Sequence, residues 1–343
     1  MTREDKVINQ VEGRRIQPKI WWAALAGIPR VGKEEWFGLD LFGRWLIAIR
    51  AAVLVMTFLA TAISGIFAWQ HGAMNWFRFF LVVVGLLSAH ATNNILNDLS
   101  DHKRGVDKDN AFRTQYGTQP VEDGLITPKQ SSILAAVTVL PMILSAACLC
   151  WMIGLKLLPF AIVGLVLVFA YNWPLKHFGL GEPTVILVWG PLMVGGGYLS
   201  ITGNWSWEVA LASLPYAIGA TIVLFGKHID KIPWDALRGV RTLPVLIGHK
   251  IARYSVLILI ACQFVLVAFL YIQNIVQIPI FLTLLSVPFL RKLIPVYLNK
   301  TPPEPPEDYP PNVWPLWYSA HAFVHCRNFG GLYIVGLLIA LWI

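Results

Sequence analysis

Charge is what this chain has least of. Only 13% of its 343 residues are Asp, Glu, Lys or Arg, against roughly 25% in soluble domains, which excludes an ordinary water-soluble protein. Cysteine is also scarce. Cys148, Cys150, Cys262 and Cys326 all fall in apolar stretches with no CxxC spacing, so they are expected to act as small hydrophobes rather than as a disulfide framework or a metal site. The first 40 residues are charged and contain tryptophans but no apolar core, so no cleavable signal peptide is expected there. No segment between the apolar stretches is long enough for a soluble domain.

What the chain does have is apolar length: 56% of the residues are hydrophobic and the mean hydropathy is +0.60. Apolar stretches recur at 45–69, 79–96, 131–153, 157–171, 183–200, 207–226, 254–272, 275–290 and 316–343. Most reach the roughly 17–25 residues that a helix needs to cross about 30 Å of hydrocarbon, and those near 157 and 275 are short enough to tilt or kink. The expectation is an all-α polytopic membrane protein with nine spans. Lys and Arg gather on alternate loops, including Lys103, Arg104, Lys129, Lys176, Lys227, Arg238, Lys250 and Arg291. The loops near 70–76, 201–206 and 272–275 contain neither, and the loop near 154–156 contains only Lys156. The positive-inside bias therefore predicts a cytoplasmic N-terminus and a C-terminus outside. The net charge of +8 is then mainly a topology signal, and nucleic acid is not needed to explain it. Residues 1–44, with Trp21, Trp22 and Trp36, are expected to lie at the cytoplasmic interface. Residues 45–343 form one membrane domain with acidic cytoplasmic loops at 97–130 and 227–253.

The first of those loops opens with "NNILNDLSDHKRGVD", residues 93–107. Helical spacing aligns Asn93, Asn97 and Asp101 on one face, with Asn94 and Asp98 beside them. Carboxylates this close to lipid need water, partners or a metal. The bland alternative is a solvated helix end whose acids balance Lys103 and Arg104. Against that stands a second loop of similar composition about 130 residues on, "FGKHIDKIPWDALRGVRTLPVLIG", residues 225–248, where Asp230 and Asp235 sit among Lys227, Lys231, Arg238 and Arg241. Two acidic clusters at one membrane face, each among cations, suit Mg²⁺ and a diphosphate, because Mg²⁺ is held by a few carboxylates plus phosphate oxygens and basic side chains take the remaining charge.

These residues resemble the UbiA superfamily of intramembrane prenyltransferases, in which two Asp-rich motifs follow the second and sixth of nine helices. "NDLSDHKRGVD" is similar to the family's NDxxD motif. "DGLITPKQ" at 123–130, "YNWPLKHFGLGEP" at 171–183 and "GVRTLPVLIG" at 239–248 look like the dihydroxynaphthoate branch of menaquinone synthesis. The resemblance spans roughly residues 45–290. It implies Mg²⁺ as cofactor, with Asp98, Asp101, Asp230 and Asp235 as metal ligands. It implies Asn94, Asn97, Arg113, Lys176, Lys227 and Arg241 as the diphosphate-binding set, and Asn97, Asp101, Tyr171, Asp230 and Asp235 as the catalytic set. The partners implied are an isoprenyl diphosphate, an aromatic quinone-precursor-like acceptor and the bilayer, with no protein partner, in a prokaryotic cytoplasmic membrane with the site at the cytoplasmic face.

Three features depart from that pattern. The family's second motif is usually DxxxD, whereas Asp230 and Asp235 are five apart, which on an unbroken helix separates them by about 140° rather than about 40°; Pro233 between them is expected to bend the helix and restore convergence. "YGTQPVEDG" at 116–124 lacks the basic residue usual in the naphthoate branch. "WPLWYSAHAFVHCRNFGG" at 314–331 has no counterpart, and its His321 and His325, like His90, are expected to be packing residues. The seven prolines and their neighbours at 300–315 are expected to form an extended connector. Two other functions fit the composition: a membrane terpene cyclase using the same acids without an acceptor, and a Mg²⁺ or anion transporter. The transporter is disfavoured because the acids cluster on one face and the spans offer no evident polar path.

Overall fold

Where the helices begin is legible in the residues just before them. Asn75, Thr127 and Ser206 each accept a backbone N–H three residues on, from Arg78, Gln130 and Val209, satisfying a donor that a first helical turn leaves unpaired. Thr127 and Gln130 form a reciprocal capping box, with Pro128 in the first turn.

The structure, a computed structural model, describes residues 16–343 apart from 107, 109–111, 113, 114, 116, 311 and 312. Three short helices come first, α1 (Pro18–Ala26), α2 (Lys33–Gly38) and α3 (Leu41–Ala48). Then follow α4 (Ala51–Gln70), α5 (Trp76–Lys103), α6 (Pro128–Ile153), α7 (Leu158–Ala170), α8 (Gly181–Thr202) and α9 (Trp207–Asp230). After the short α10 (Ile232–Leu237) and α11 (Leu243–Ile247) come α12 (His249–Ile272), α13 (Ile278–Leu298) and α14 (Tyr318–Ile339). Among the described residues, eight of these helices are long and apolar enough to cross a membrane, and each falls on an apolar stretch of the sequence. The remaining expected span, at 157–171, is α7. Its 13 residues rise about 20 Å, short of the roughly 30 Å of hydrocarbon.

Burial sorts the helices. In α9, 78% of the apolar window is inside the protein, against 28% in α6 and α12 and 22% in α13, so α9 is the central pillar and those three form an outer wall. Their outward faces carry Leu140, Leu144, Ile258 and Val265, side chains that suit lipid rather than water. Two glycines permit close helix contacts. A Cβ at Gly197 of α8 would lie 2.6 Å from Ser64 Oγ of α4, and one at Gly226 of α9 would lie 2.9 Å from the backbone at Ser319 of α14. In α8, Gly190 departs from helical geometry just before Pro191. The Ser64 hydroxyl donates to the carbonyl of Val194 at 3.0 Å in the widened segment that follows, the kind of substitute partner that a broken membrane helix requires.

Asp40 organises the N-terminal segment. Its carboxylate caps α3 by accepting the Gly43 N–H (2.6 Å), and it also accepts the Gln17 N–H (2.9 Å) and the Trp21 indole N–H (3.0 Å) of α1. Burial opposes its ionisation, but the hydrogen bonds from Gly43, Trp21 and Gln17 outweigh that and hold its pKa below the ordinary carboxylate value. The Pro-rich stretch contains no helix among its described residues; Tyr309 within it packs on Trp317 and His321.

Candidate active site

The last turns of α5 are held on two sides. Along one face, Asn93 donates to the Val168 carbonyl (2.9 Å), Asn97 donates to Asn172 Oδ1 (2.9 Å), and both carboxylate oxygens of Asp101 lie 2.9 Å from Lys176 Nζ. Along the adjacent face, Asn94 donates to the Ile49 carbonyl (2.9 Å) and Asp98 pairs with Arg50. The periodicity of three and four that aligns these residues in sequence thus grips two remote segments, 168–176 and 49–50. Arg50 joins α3 to α4 in the left-handed region, with φ 54° and ψ 55°, a conformation costing about 1 kcal/mol or more for a residue with a Cβ. It is one of two described non-glycine residues with positive φ, and the turn carries its guanidinium to Asp98.

Between these contacts lies a cavity of about 600 Å³. Its walls are largely apolar, from Met56, Leu86, Phe160, Leu165, Trp189 and Met193, and its polar lining includes Arg50, Asn93, Asn97, Tyr171, Lys176 and Lys227. Ile143 and Ile162 of α6 and α7 line it and are exposed. Burial, followed by the Lys176 ammonium, lowers the pKa of the adjacent His177, which also feels Asp101 and Asp235.

The two acidic loops meet. Arg238 donates through Nε to the Gly105 carbonyl (3.0 Å) and through its guanidinium to Lys108 O, and the Trp234 indole N–H points to the Val106 carbonyl at 3.4 Å. The Arg238 guanidinium also lies 4.0 Å from the Trp234 ring centre.

Asp230 and Asp235 have different partners. Asp230 accepts the Tyr318 N–H (2.8 Å), the Ser319 N–H (3.0 Å) and the Ser319 hydroxyl (2.6 Å), which makes it a cap for the first turn of α14. Pro233 sits in the first turn of the new helix α10, and the chain breaks out of α9 at Lys231 (φ −100°, ψ 3°). The residue one turn from Asp235 is Lys231, whose Nζ lies 3.1 Å from Asp235 Oδ1.

Of the other residues singled out in the sequence, Asn94, Asn97, Tyr171, Lys176 and Lys227 line the cavity. Arg241 is exposed and its backbone bridges to Phe178; it is not among the cavity-lining residues. Arg113 lies outside the described residues. His321 bonds the Trp317 carbonyl and His325 bonds Gln263 Oε1, both at 2.8 Å and away from the cavity, and His90 bonds Thr57 at 2.7 Å on the cavity wall. Sequence reasoning missed Arg50, Asn172 and the buried pair Glu182–His228 (2.7 Å), of which His228 lines the cavity. Their partners lie 45 or more residues away, so no local spacing marks them.

The model of the UbiA prenyltransferase family matches residues 58–305. A UbiA prenyltransferase domain-containing protein 1 homolog of Drosophila melanogaster is 26% identical over 219 residues, 60% of this chain and 58% of the fly protein, so less than two thirds of that relative is spanned. The 1,4-dihydroxy-2-naphthoate octaprenyltransferase of Escherichia coli is 25% identical over 225 residues, covering 61% of this chain and 70% of the bacterial one. A solved UbiA homolog from Archaeoglobus fulgidus, bound to GPP and Mg²⁺, aligns over 87% of this chain and 99% of its own, with a TM-score of 0.53 and 17% identity, a likeness of fold.

Proposed function

The chain belongs to the UbiA prenyltransferase family, and from that membership and the cavity we propose that it transfers a prenyl group from an isoprenyl diphosphate to an aromatic, quinone-precursor-like acceptor inside the membrane. The observation that carries this reading is the make-up of the cavity lining: apolar side chains with the aromatic Trp189, and the cations Lys227, Arg50 and Lys176, the last two paired with Asp98 and Asp101 one turn apart on α5. A polyprenyl tail suits the first and a diphosphate the second.

The chemistry follows from that arrangement. The C–O bond to the diphosphate breaks, and the charge growing on the leaving group faces Lys176, Lys227 and Arg50, cations already oriented before the reaction. Trp189 offers its ring to the allylic cation, and apolar side chains keep water from capturing it. An electron-rich ring carbon attacks, a C–C bond forms, and the ring loses a proton or a carboxyl group. Tyr171 lines the wall, and its carbonyl accepts the Lys176 N–H at 3.0 Å.

The first acidic motif fits Mg²⁺. Asp98 and Asp101 are buried carboxylates, hard oxygen donors one turn apart, and each faces a cation, Arg50 or Lys176, that also lines the cavity. When bound there, Mg²⁺ supplies neutralisation of the departing diphosphate. Arg50 and Lys176 bridge motif and cavity, and so orient the diphosphate end of the substrate.

The test is incubation of the purified protein with geranylgeranyl diphosphate and Mg²⁺, with and without a panel of dihydroxynaphthoate and hydroxybenzoate acceptors, followed by product mass. A prenylated aromatic product is expected. A hydrocarbon or alcohol formed equally well without acceptor overturns transfer in favour of cyclisation.

A further inference from the structure

A groove of about 320 Å³ lies against the end of α5. Leu96, Leu99, Ser100 and Lys103 line it from that helix, and steps of three and four residues put them on one face. Phe169, at the end of α7, and Asn172 and Trp173, in the turn that follows, line the rest together with Arg104. A helix rises about 1.5 Å per residue, which sets Lys103 about 10 Å beyond Leu96 along the axis. The α5 side of the groove therefore passes from leucine through a hydroxyl to an ammonium.

Both helices leave the apolar layer in the same direction. α5 ends at Lys103 and α7 at Ala170, on the side of the chain where Lys and Arg gather. Phe169 is 47% exposed and Trp173 50%, an apolar and an amphipathic ring of the kind found where hydrocarbon meets headgroups. The Arg104 guanidinium stands 5.0 Å from the Trp173 ring centre, a cation–π contact between two side chains of the groove.

Basic residues at the end of a helix complement its dipole and need no ligand for that. Here they also line a groove in which no described residue is acidic, and neither Lys103 nor Arg104 has an ion-pair partner among the described residues. The chain just after Arg104 is tied to Arg238 and Trp234, whose side chains donate to the Gly105 and Val106 carbonyls. A concave site at the membrane boundary that combines two cations and a hydroxyl with leucine and phenylalanine matches a molecule with one phosphate and an acyl chain.

We propose that this groove binds an anionic phospholipid, with its phosphate at Lys103, Arg104 and Ser100 and the first methylenes of an acyl chain against Leu96, Leu99 and Phe169. The site is separate from the reaction cavity but shares a wall with it. Asn172 lines the groove, accepts the Asn97 side-chain N–H at 2.9 Å and donates to the Asn93 carbonyl at 3.3 Å, and both Asn93 and Asn97 line the cavity. A bound lipid thus packs against the turn that leads to Lys176.

The test is lipid binding to the full chain in detergent micelles, read by native mass spectrometry and independent of turnover. The titrants are phosphatidylglycerol, phosphatidylcholine with the same acyl chains, and inorganic phosphate. One phosphatidylglycerol is expected to bind about tenfold more tightly than phosphatidylcholine, and excess inorganic phosphate is expected not to displace it. The double variant Lys103→Gln/Arg104→Gln should lose that preference, whereas Lys129→Gln/Lys250→Gln, which removes two exposed cations elsewhere, should keep it. Leu96→Trp fills the groove with both cations retained and should weaken binding of phosphatidylglycerol. Equal binding of the two lipids by the wild type overturns the proposal, as does a preference that survives Lys103→Gln/Arg104→Gln. Equal losses in the two double variants would mean diffuse surface charge instead of a site, and displacement by phosphate would assign the cations to a free anion; either result overturns the lipid. Should Leu96→Trp fail to fold, the charge variants, at exposed positions, decide.

Discussion

The carboxylate of Asp230 accepts both the backbone N–H of Ser319, at 3.0 Å, and its hydroxyl, at 2.6 Å, tying the end of α9 to the start of α14 across 89 residues of chain. That contact assigns Asp230 a structural role. Asp230→Ala is expected to cost about 2 kcal/mol, a lost helix cap together with buried donors left unpaired. The signature is a lower melting temperature in detergent with turnover per folded molecule retained. Pro233→Ala, at the exposed start of α10, is expected to change neither. A Asp230→Ala protein that melts normally but is inactive would contradict the cap.

Lys176 and Asp101 form a buried pair whose ammonium lines the cavity. Lys176→Met leaves a buried carboxylate without its ammonium, a change of about 3–5 kcal/mol in stability for pairs of this kind, and removes a cation from the leaving group, worth about 10²–10³ in turnover. Asp101→Asn is expected to lose turnover as well, and chelation by EDTA is expected to silence the wild type until Mg²⁺ is restored. Full activity in EDTA would remove the metal from the mechanism. A double-mutant cycle on melting temperature separates the pair's coupling from the effect on rate.

Gly164 lines the cavity, and a Cβ added there meets no atom within 4 Å. Gly164→Phe should shorten the space for the isoprenoid. Transfer of a geranyl group is expected to persist while transfer of a geranylgeranyl or longer group falls, read as the ratio of the two rates. Equal losses for both chain lengths would mean that the tail runs elsewhere.

Asp40 carries a prediction about pH. Its folded-state pKa lies below its ordinary value of 3.8, so its contribution to stability is complete above that value and is lost as pH falls through the folded one. Asp40→Asn should therefore release α1 from α3 at neutral pH, at a cost of about 1 kcal/mol, and the difference from wild type should shrink below about pH 4. Hydrogen exchange of the Gln17 and Gly43 amides, followed against pH, reads it. A mutant difference that persists undiminished at low pH would refute the assignment.

Topology is open to direct labelling. In a cysteine-free background, Lys129→Cys and Lys250→Cys should react with an impermeant maleimide from the cytoplasmic side, and Asn204→Cys from the opposite side, as the Lys and Arg bias requires. Reaction of all three from one face would refute the alternation of spans.

The spans were legible in the sequence because crossing hydrocarbon is a local demand: every backbone group must be satisfied within its own helix and every outward side chain must tolerate lipid, so a stretch of about twenty residues declares itself. The face of α5 was legible for a similar reason, since Asn93, Asn97 and Asp101 align by helical geometry alone. Lys176 came from the family resemblance, and its contact with Asp101 came from folding. What the sequence could not decide is which partner each buried charge takes. Arg50 reaches Asp98 across 48 residues, Asn97 reaches Asn172 across 75 and Asp230 reaches Ser319 across 89, and none of these separations has a period. Two aspartates in "HIDKIPWD" look alike on paper. Only the tertiary structure sends one to cap a distant helix and leaves the other beside Lys231, because in a low-dielectric interior a carboxylate is held by whatever donor or cation the packing brings to it.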